Sequence, residues 1–162
     1  MRLCCQGHLP VAPKRLARFH ADPNNLPRLM AGWPAFRLLG HDGPVREGGV
    51  LRIQERVGIL PVVMFFRHTL CDPPHRFRDE LIHGPFDHFV HTHEFLAAPA
   101  GALWRETIEL SLPLVFGGAP VLRRLIAPRI RLALEFRGRA LARLARDGSL
   151  GAETPAAATE ED

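Results

Sequence analysis

The sequence has no tyrosine, and cysteine and tryptophan are rare in it, with three and two residues among 162. Cys4, Cys5 and Cys71 lack the paired spacing of a zinc site or a disulfide framework, so the fold does not depend on either. No stretch reaches the roughly 18 uninterrupted apolar residues of a spanning helix, because Arg123 and Arg124 break the best candidate. The first residues lack an apolar run of signal-peptide length, which favours a cytoplasmic protein.

The composition that remains is that of one globular domain. Hydrophobic residues make up 46% of the chain and charged residues 23%, and a chain of this length buries roughly two thirds of its unfolded surface. We predict one ligand-binding domain over residues 1–148 and a disordered tail over residues 149–162. Gly117-Gly118 has neither the spacing nor the lysine of a phosphate-binding loop, and no cofactor is expected.

The net charge of +4 comes from arginines concentrated in the last third of the chain. They lie among aliphatic residues without an aromatic or glycine-rich nucleic-acid motif, so we expect no nucleic-acid partner. A basic amphipathic helix also permits a second use, as a membrane-surface or protein-interaction module. The arginines are Arg123, Arg124, Arg129, Arg131, Arg137, Arg139, Arg143 and Arg146.

The predicted elements follow the order of an α+β domain. A first strand at residues 1–8 leads into two short helices, which Pro23 and Pro27 separate. A run of antiparallel strands comes next, because apolar residues alternate there between turns rich in glycine and proline. These strands are predicted at residues 36–39, 50–57, 60–70, 76–82, 86–96 and 102–112, with Gly58 in one of the turns.

A long amphipathic helix ends the domain. Apolar residues recur three and four apart from about Pro120 to Arg146, and Pro128 is expected to kink or split the helix. A sheet with one face to bury and one large helix to bury it favours a curved antiparallel sheet wrapped around that helix. Strong curvature leaves an apolar cavity between the two layers, suited to a small hydrophobic ligand.

Titratable side chains are predicted on the inner face of the sheet. Residues 76–95 read as a tight hairpin turned at His83-Gly84-Pro85, and alternate residues of a strand share a face. In the next strand Glu106 shares the apolar face and lies opposite or diagonal to His91 or His93. His68 is expected at an exposed or turn position. The predicted lining residues are Phe77, Asp79, Phe89, His91, His93, Phe95, Trp104, Glu106, Ile108 and Leu110.

Three segments carry a resemblance to a known superfamily. They are HADPNNLPRL near the start, RFRDELIHGPFDHFVHTHEF in the middle and EFRGRAL in the last helix. The chain from about Arg2 to Arg146 resembles the SRPBCC superfamily, the helix-grip group of START-like and Bet v 1-like domains. It looks most like the bacterial stand-alone ligand-binding, polyketide cyclase-like branch. The resemblance implies a helix-grip fold and a cavity for a lipid, quinone, polyketide or aromatic molecule, without a metal.

The last strand departs from the pattern of similar proteins. Ala102, Glu106 and Leu110 stand where those proteins tend to have Thr, Asp and Tyr. The resemblance therefore implies a cavity and not a particular reaction.

The inner acids and imidazoles leave several roles open. Buried groups of this kind must be hydrogen-bonded or paired, and such pairs can simply fix the strand register. They can also orient a ligand carbonyl or hydroxyl, or act as the acid and base of a cyclase, dehydratase or hydrolase, with His91, His93, Glu106 and Asp79 as candidates. Two histidines and an acid are also metal-ligand types. His-x-His is common by chance among nine histidines, however, and we predict no metal.

Overall fold

The computed structural model of the chain describes residues 1–34, 36–57 and 60–151. Gly58 and residues 152–162 of the predicted tail lie outside the described residues. The described strands form a single seven-stranded sheet. The strands are β1 Arg2–Leu9, β2 Arg37–His41, β3 Val50–Val57, β4 Leu60–Asp72, β5 Arg76–His83, β6 His88–Ala98 and β7 Gly101–Ser111.

Two short helices follow β1, as predicted. They are α1, Pro13–Ala21, and α2, Leu26–Leu29, with a 3₁₀ turn over Pro23–Asn25 between them. Asp22 separates them because its side chain accepts the backbone N–H of Asn24 at 3.0 Å, which caps the 3₁₀ turn.

The C-terminal helix runs through Pro128 with a change of register. It consists of α3, Gly118–Val121, a π-helical turn, Leu122–Ile126, and α4, Ala127–Arg146. Proline lacks the N–H of an α-helical hydrogen bond and crowds the carbonyl four residues back. The turn before it widens instead, and the N–H of Ala127 donates to the carbonyl of Leu122, five residues back.

The sheet is antiparallel and has the order β1-β7-β6-β5-β4-β3-β2. Each neighbouring pair from β2 to β7 is also consecutive in sequence, and β1 closes the row against β7. Register shifts between Leu38 and Gly40 and between His68 and Leu70 bend the sheet. The curved sheet with α4 against its inner face confirms the predicted α+β helix-grip fold.

The hairpin of β5 and β6 is wider than predicted. The two strands pair from Arg76 opposite Glu94 to Glu80 opposite Val90. Beyond Glu80, β5 follows β4, where Leu81 lies opposite Phe66, while β6 follows β7. The connection is therefore a loop at a point where the sheet opens.

No helix of the described chain has the length and apolar character needed to cross a membrane.

Candidate functional site

A cavity of about 550 Å³ lies between the inner face of the sheet and helices α1, α2 and α4. Its volume falls within the usual range for small-molecule pockets. Apolar side chains from all these elements form most of its wall, and His68, Asp79, His91 and His93 form a polar cluster on β4, β5 and β6. The apolar side chains include Phe19, Leu26, Leu29, Leu51, Ile53, Met64, Phe66, Phe86, Ile130 and Leu134.

The predicted inner-face residues are all buried, but only some of them line the cavity. The helix leaves no space over part of β7, because a Cβ atom on Gly138 of α4 would lie 2.8 Å from the Trp104 ring. Phe95, Trp104 and Glu106 accordingly lie beside or behind the cavity wall rather than in it, and Leu110, farther along β7, is buried in the core with Leu3 and Leu122. The residues that do line it are Phe77, Asp79, Phe89, His91, His93 and Ile108.

Asp79 lies between two imidazoles. Its Oδ1 accepts from Nδ1 of His68 at 2.5 Å, and its Oδ2 accepts from Nε2 of His93 at 3.2 Å. These contacts hold the pKa of Asp79 below its ordinary value against the opposing effect of burial. Both carboxylate oxygens are thus occupied, and the acid is ionised.

Glu106 contacts charged or titratable side chains of β6 and α4. It lies directly opposite His93 in the register of β6 and β7, as the sequence predicts. Its Oε1 lies 3.0 Å from Nη2 of Arg137 in an ion pair and 3.5 Å from Nδ1 of His93, while its Oε2 lies 3.6 Å from Nε2 of His91. Burial opposes ionisation, but the Arg137 charge and the imidazoles hold the pKa of Glu106 well below its ordinary value.

The pKa values of the two histidines of β6 are shifted in opposite directions. The flanking carboxylates Asp79 and Glu106 raise the pKa of His93 in spite of its burial, which favours the imidazolium form of its ring. Burial and the His93 charge lower the pKa of His91 to about 4, so its ring is neutral. The ring centroids lie 3.9 Å apart. One cation and one neutral acceptor therefore stand side by side in the cavity wall.

A third imidazole enters the cavity from α1. Nδ1 of His20 lies 3.0 Å from the carbonyl of Leu16, and its ring centroid lies 4.9 Å from that of Phe95. Burial lowers the pKa of His20 to about 4, so the ring is neutral. A carbonyl can only accept, so Nδ1 carries the proton and Nε2 is left with a lone pair for a ligand donor.

Sequence reasoning missed three members of this cluster. The expectation that His68 is exposed is wrong, because its side chain is only 3% exposed and bonds Asp79. Alternation from the buried Met64 and Phe66 gives the signal that would have placed it inside. Helical spacing from Leu134 similarly turns Arg137 inward. His20 gives no comparable sequence signal.

The cluster also contains the donor types of a metal site. One ligand atom from each of Asp79, His91 and His93 can be chosen so that all lie within 4.8 Å of one another. The same groups are balanced in charge without an ion, since the two carboxylates are offset by Arg137 and the His93 imidazolium. The arrangement therefore does not require a metal.

Comparisons with known proteins agree with this architecture. The family model described as polyketide cyclase / dehydrase and lipid transport matches residues 9–146. A comparison of the sequence with curated proteins finds no match.

Several solved structures share the fold. The protein TTHA0849 from Thermus thermophilus is 20% identical with a TM-score of 0.73, covering 92% of this chain and 99% of that one. CV1439 from Chromobacterium violaceum is 19% identical with a TM-score of 0.68, covering 90% and 97%. Norcoclaurine synthase from Thalictrum flavum, in complex with dopamine and hydroxybenzaldehyde, is 16% identical with a TM-score of 0.67, covering 91% and 87%. At these identities the likeness establishes the fold.

Proposed function

The chain belongs to the polyketide cyclase / dehydrase and lipid transport family, within the SRPBCC superfamily that its sequence resembles, and on this premise we propose that it binds a small, mostly apolar molecule with one oxygen-bearing polar group. The single observation that carries the proposal is the apolar cavity of about 550 Å³ with titratable groups along one wall. A ligand that is apolar throughout would leave the acceptor nitrogens of His91 and His20 without a partner. A strongly polar one would leave the apolar walls uncompensated.

The polar wall favours a carbonyl or hydroxyl as the recognised group. His91 and His20 are neutral and present acceptor nitrogens, whereas the nitrogens of His93 face carboxylates. A hydroxyl could donate to a neutral ring, and a carbonyl could accept from an imidazole N–H that exchanges its present protein acceptor for the ligand. Lipids, quinones, polyketides and aromatic molecules offer these groups. The complex of norcoclaurine synthase with dopamine and hydroxybenzaldehyde places aromatic ligands in the same fold.

A cavity-filling substitution tests the binding proposal. Ala133 of α4 lines the cavity, and its neighbour Leu132 is exposed. We expect the wild-type protein to bind a naphthalene dye or a short-chain quinone, read out by fluorescence of the dye or by quenching of Trp33. Ala133→Trp should weaken binding at least about tenfold, since an indole occupies the space that the ligand needs.

Leu132→Trp is the matched control, because it adds the same indole one residue away on the exposed side of α4. It should bind as the wild type does, and native mass spectrometry of protein purified from cells gives an independent reading of any retained ligand. Equal binding by the two variants, or no binding by any quinone, lipid or aromatic probe together with no retained mass, would refute the proposal.

Acid–base catalysis is the second candidate, favoured by the spacing of the cluster. An enzyme of the cyclase or dehydratase class removes a proton from carbon next to a carbonyl, and needs a base near a positive charge. His91 is neutral and His93 is cationic, within a network whose contacts span 2.5 to 3.6 Å. A pKa of about 4 makes His91 a weak base at neutral pH. Ligand binding is therefore the first candidate function and catalysis the second.

Proton exchange distinguishes catalysis from binding. A ligand found by the first experiment, or a short β-keto thioester, is incubated in deuterated water and followed by mass spectrometry. Catalysis requires deuterium uptake next to the carbonyl that His91→Gln lowers at least about a hundredfold and that His88→Gln, on the exposed start of the same strand, leaves unchanged. Binding without enzyme-dependent exchange would show that the cluster orients the ligand and does not turn it over.

We also propose a cytoplasmic location. Support comes from the thiols of Cys4, Cys5 and Cys71, which are free and suit a reducing compartment. Labelling of intact cells with a membrane-impermeant maleimide checks this, and modification of the exposed Cys4 before cell lysis would contradict it.

A further inference from the structure

Exposed apolar side chains are concentrated at one end of the sheet. Antiparallel neighbours put the end of β7 beside the start of β6, and the end of β5 beside Phe65 of β4, which begins farther out at Leu60. The 3₁₀ turn that follows β7 carries Leu114, Val115 and Phe116, which are 90%, 83% and 54% exposed. Leu60 at the start of β4 and Ile82 near the end of β5 are exposed at the same end.

Three successive apolar residues cannot all be exposed unless the turn projects from the surface. We call Leu114–Phe116 the apolar tip. Burying apolar surface from water is favourable, and a soluble domain rarely leaves large neighbouring apolar side chains unpartnered. A projecting tip suits insertion into a soft apolar phase better than docking into a matching groove.

The helix that follows the tip adds positive charge. Arg123 and Arg124 in the π-helical turn and Arg131 in α4 are exposed, as is Arg56 at the end of β3. None of these four takes part in an ion pair among the described residues. Arginine beside an exposed apolar tip is complementary to a surface that has anionic headgroups over an apolar interior.

The apolar tip is continuous with the cavity through the same helix. Leu125 is 68% exposed and also lines the cavity, as do Ile126 and Arg129. A surface covering the tip and the π-helical turn would therefore contact Leu125, a residue that also lines the cavity.

We propose that this end of the molecule docks on an anionic lipid bilayer, with the apolar tip inserted among the lipids and Arg123, Arg124 and Arg131 on the headgroups. Docking itself does not depend on what the cavity holds. Its consequence, exchange of the apolar ligand between membrane and cavity, rests on the proposed function.

Vesicle sedimentation with the full chain tests the docking. We expect co-sedimentation with vesicles of equal parts phosphatidylglycerol and phosphatidylcholine, little with phosphatidylcholine alone, and weaker binding as the salt concentration rises. Leu114→Ser combined with Phe116→Ser should weaken binding at least about tenfold. Leu39→Ser, an exposed leucine on the edge strand β2, should leave it unchanged.

Two double arginine substitutions on the C-terminal helix provide the second test. Arg123→Gln with Arg124→Gln should weaken binding to the anionic vesicles about tenfold and flatten its salt dependence. Arg143→Gln with Arg146→Gln removes the same charge from the far end of α4 and should have a much smaller effect. Thermal unfolding confirms that each variant is folded.

Three outcomes would overturn the docking proposal. They are no sedimentation with anionic vesicles at low salt, binding that the tip and arginine variants do not change, and a dimer that the tip variant abolishes without any vesicle binding. The last would make the tip an interface between two copies of the chain. Dye or quinone binding by the tip variant, measured without vesicles, separates failure of docking from failure of the proposed ligand binding.

Discussion

Asp79 shows how individual side chains stabilise the buried cluster. An ionised carboxylate in the interior is costly unless each oxygen has a partner, and Asp79 has His68 on one oxygen and His93 on the other. Removing the charge leaves the His93 imidazolium with only Glu106 as counter-ion. The whole arrangement therefore depends on a residue that contributes no apolar surface.

We expect Asp79→Asn to lower the free energy of unfolding by about 3 kcal/mol, because it breaks a buried ion pair and leaves a buried donor facing an amide. Urea unfolding followed by circular dichroism measures this. The control is Asp72→Asn, since Asp72 pairs with Arg76 at 3.3 Å where both side chains are about half exposed. Asp72→Asn should lower the free energy of unfolding by less than about 1 kcal/mol. Equal losses in the two variants would contradict a stabilising role for the buried Asp79 pairs.

At the residue scale, faces of strands were predictable and helix contacts were not. Strand alternation needs no knowledge of the tertiary structure, and it placed Asp79, His91, His93 and Glu106 on the inner face. The approach of Arg137 to Glu106 depends on how α4 is rotated and how far along the sheet it lies. Sequence periodicity leaves both quantities open.

At the scale of elements, the contact between α4 and β7 determines where the cavity ends. The indole of Trp104 lies between two glycines, since a Cβ atom on Gly7 of β1 would lie 2.9 Å from it and one on Gly138 of α4 would lie 2.8 Å from it. Glycine inside a helix normally costs stability relative to alanine. At this position it allows the helix to reach the sheet, and the cavity ends there.

We expect Gly138→Ala to lower the free energy of unfolding by about 1 to 2 kcal/mol, because the overpacking against a buried ring exceeds the usual helical gain of alanine. Chemical unfolding measures the change. In a Trp104→Phe background the ring atoms that the new methyl group would meet are gone, so the same substitution should stabilise the protein. A stabilising Gly138→Ala in the wild-type background would show that α4 moves away without cost.

Element order and type were predictable because periodicity changes clearly along this chain. Strand ends shifted by at most two residues, for instance β4 ends at Asp72 rather than residue 70. The hairpin of β5 and β6 opened because each strand follows its other neighbour near the loop, which is a property of the whole sheet. Pro128 signalled a disturbance in the helix, and its form as a π-helical turn required the neighbouring turns to be in place.

At the scale of the whole molecule, the cavity follows from the fold but its limits do not. One curved sheet and one long helix predict a gap between them, and such a gap is present. Which inner residues reach it depends on where the helix touches the sheet, and Gly138 determines this. That is why Phe95, Trp104 and Glu106 are buried without lining the cavity, whereas Leu110 is buried in the core with Leu3 and Leu122.

The cluster couples the stability of the whole molecule to pH. His91 and His20 have pKa values lowered to about 4, so below their ordinary pKa of 6.5 the unfolded chain binds protons that the folded chain does not. Stability is therefore lost as the pH falls from 6.5 to 4. His93 has a raised pKa, and its contribution is present below pH 6.5 and lost as the pH rises through its folded value. Asp79 and Glu106, with lowered pKa values, add a further loss in stronger acid.

We therefore expect the free energy of unfolding to be greatest near pH 6.5 and to fall on both sides. His91→Gln should flatten the acid limb between pH 6.5 and 4, because one proton taken up on unfolding corresponds to a slope of about 1.4 kcal/mol per pH unit. The groups that face His91 are His93 on its own strand, Glu106 on β7 and Arg137 on α4, and all remain in this variant. Urea unfolding at half-unit pH steps gives the slope. His88→Gln, with an exposed side chain on the same strand, should keep the wild-type acid limb, and an acid limb that His91→Gln leaves unchanged would mean that His91 does not remain neutral in the folded protein.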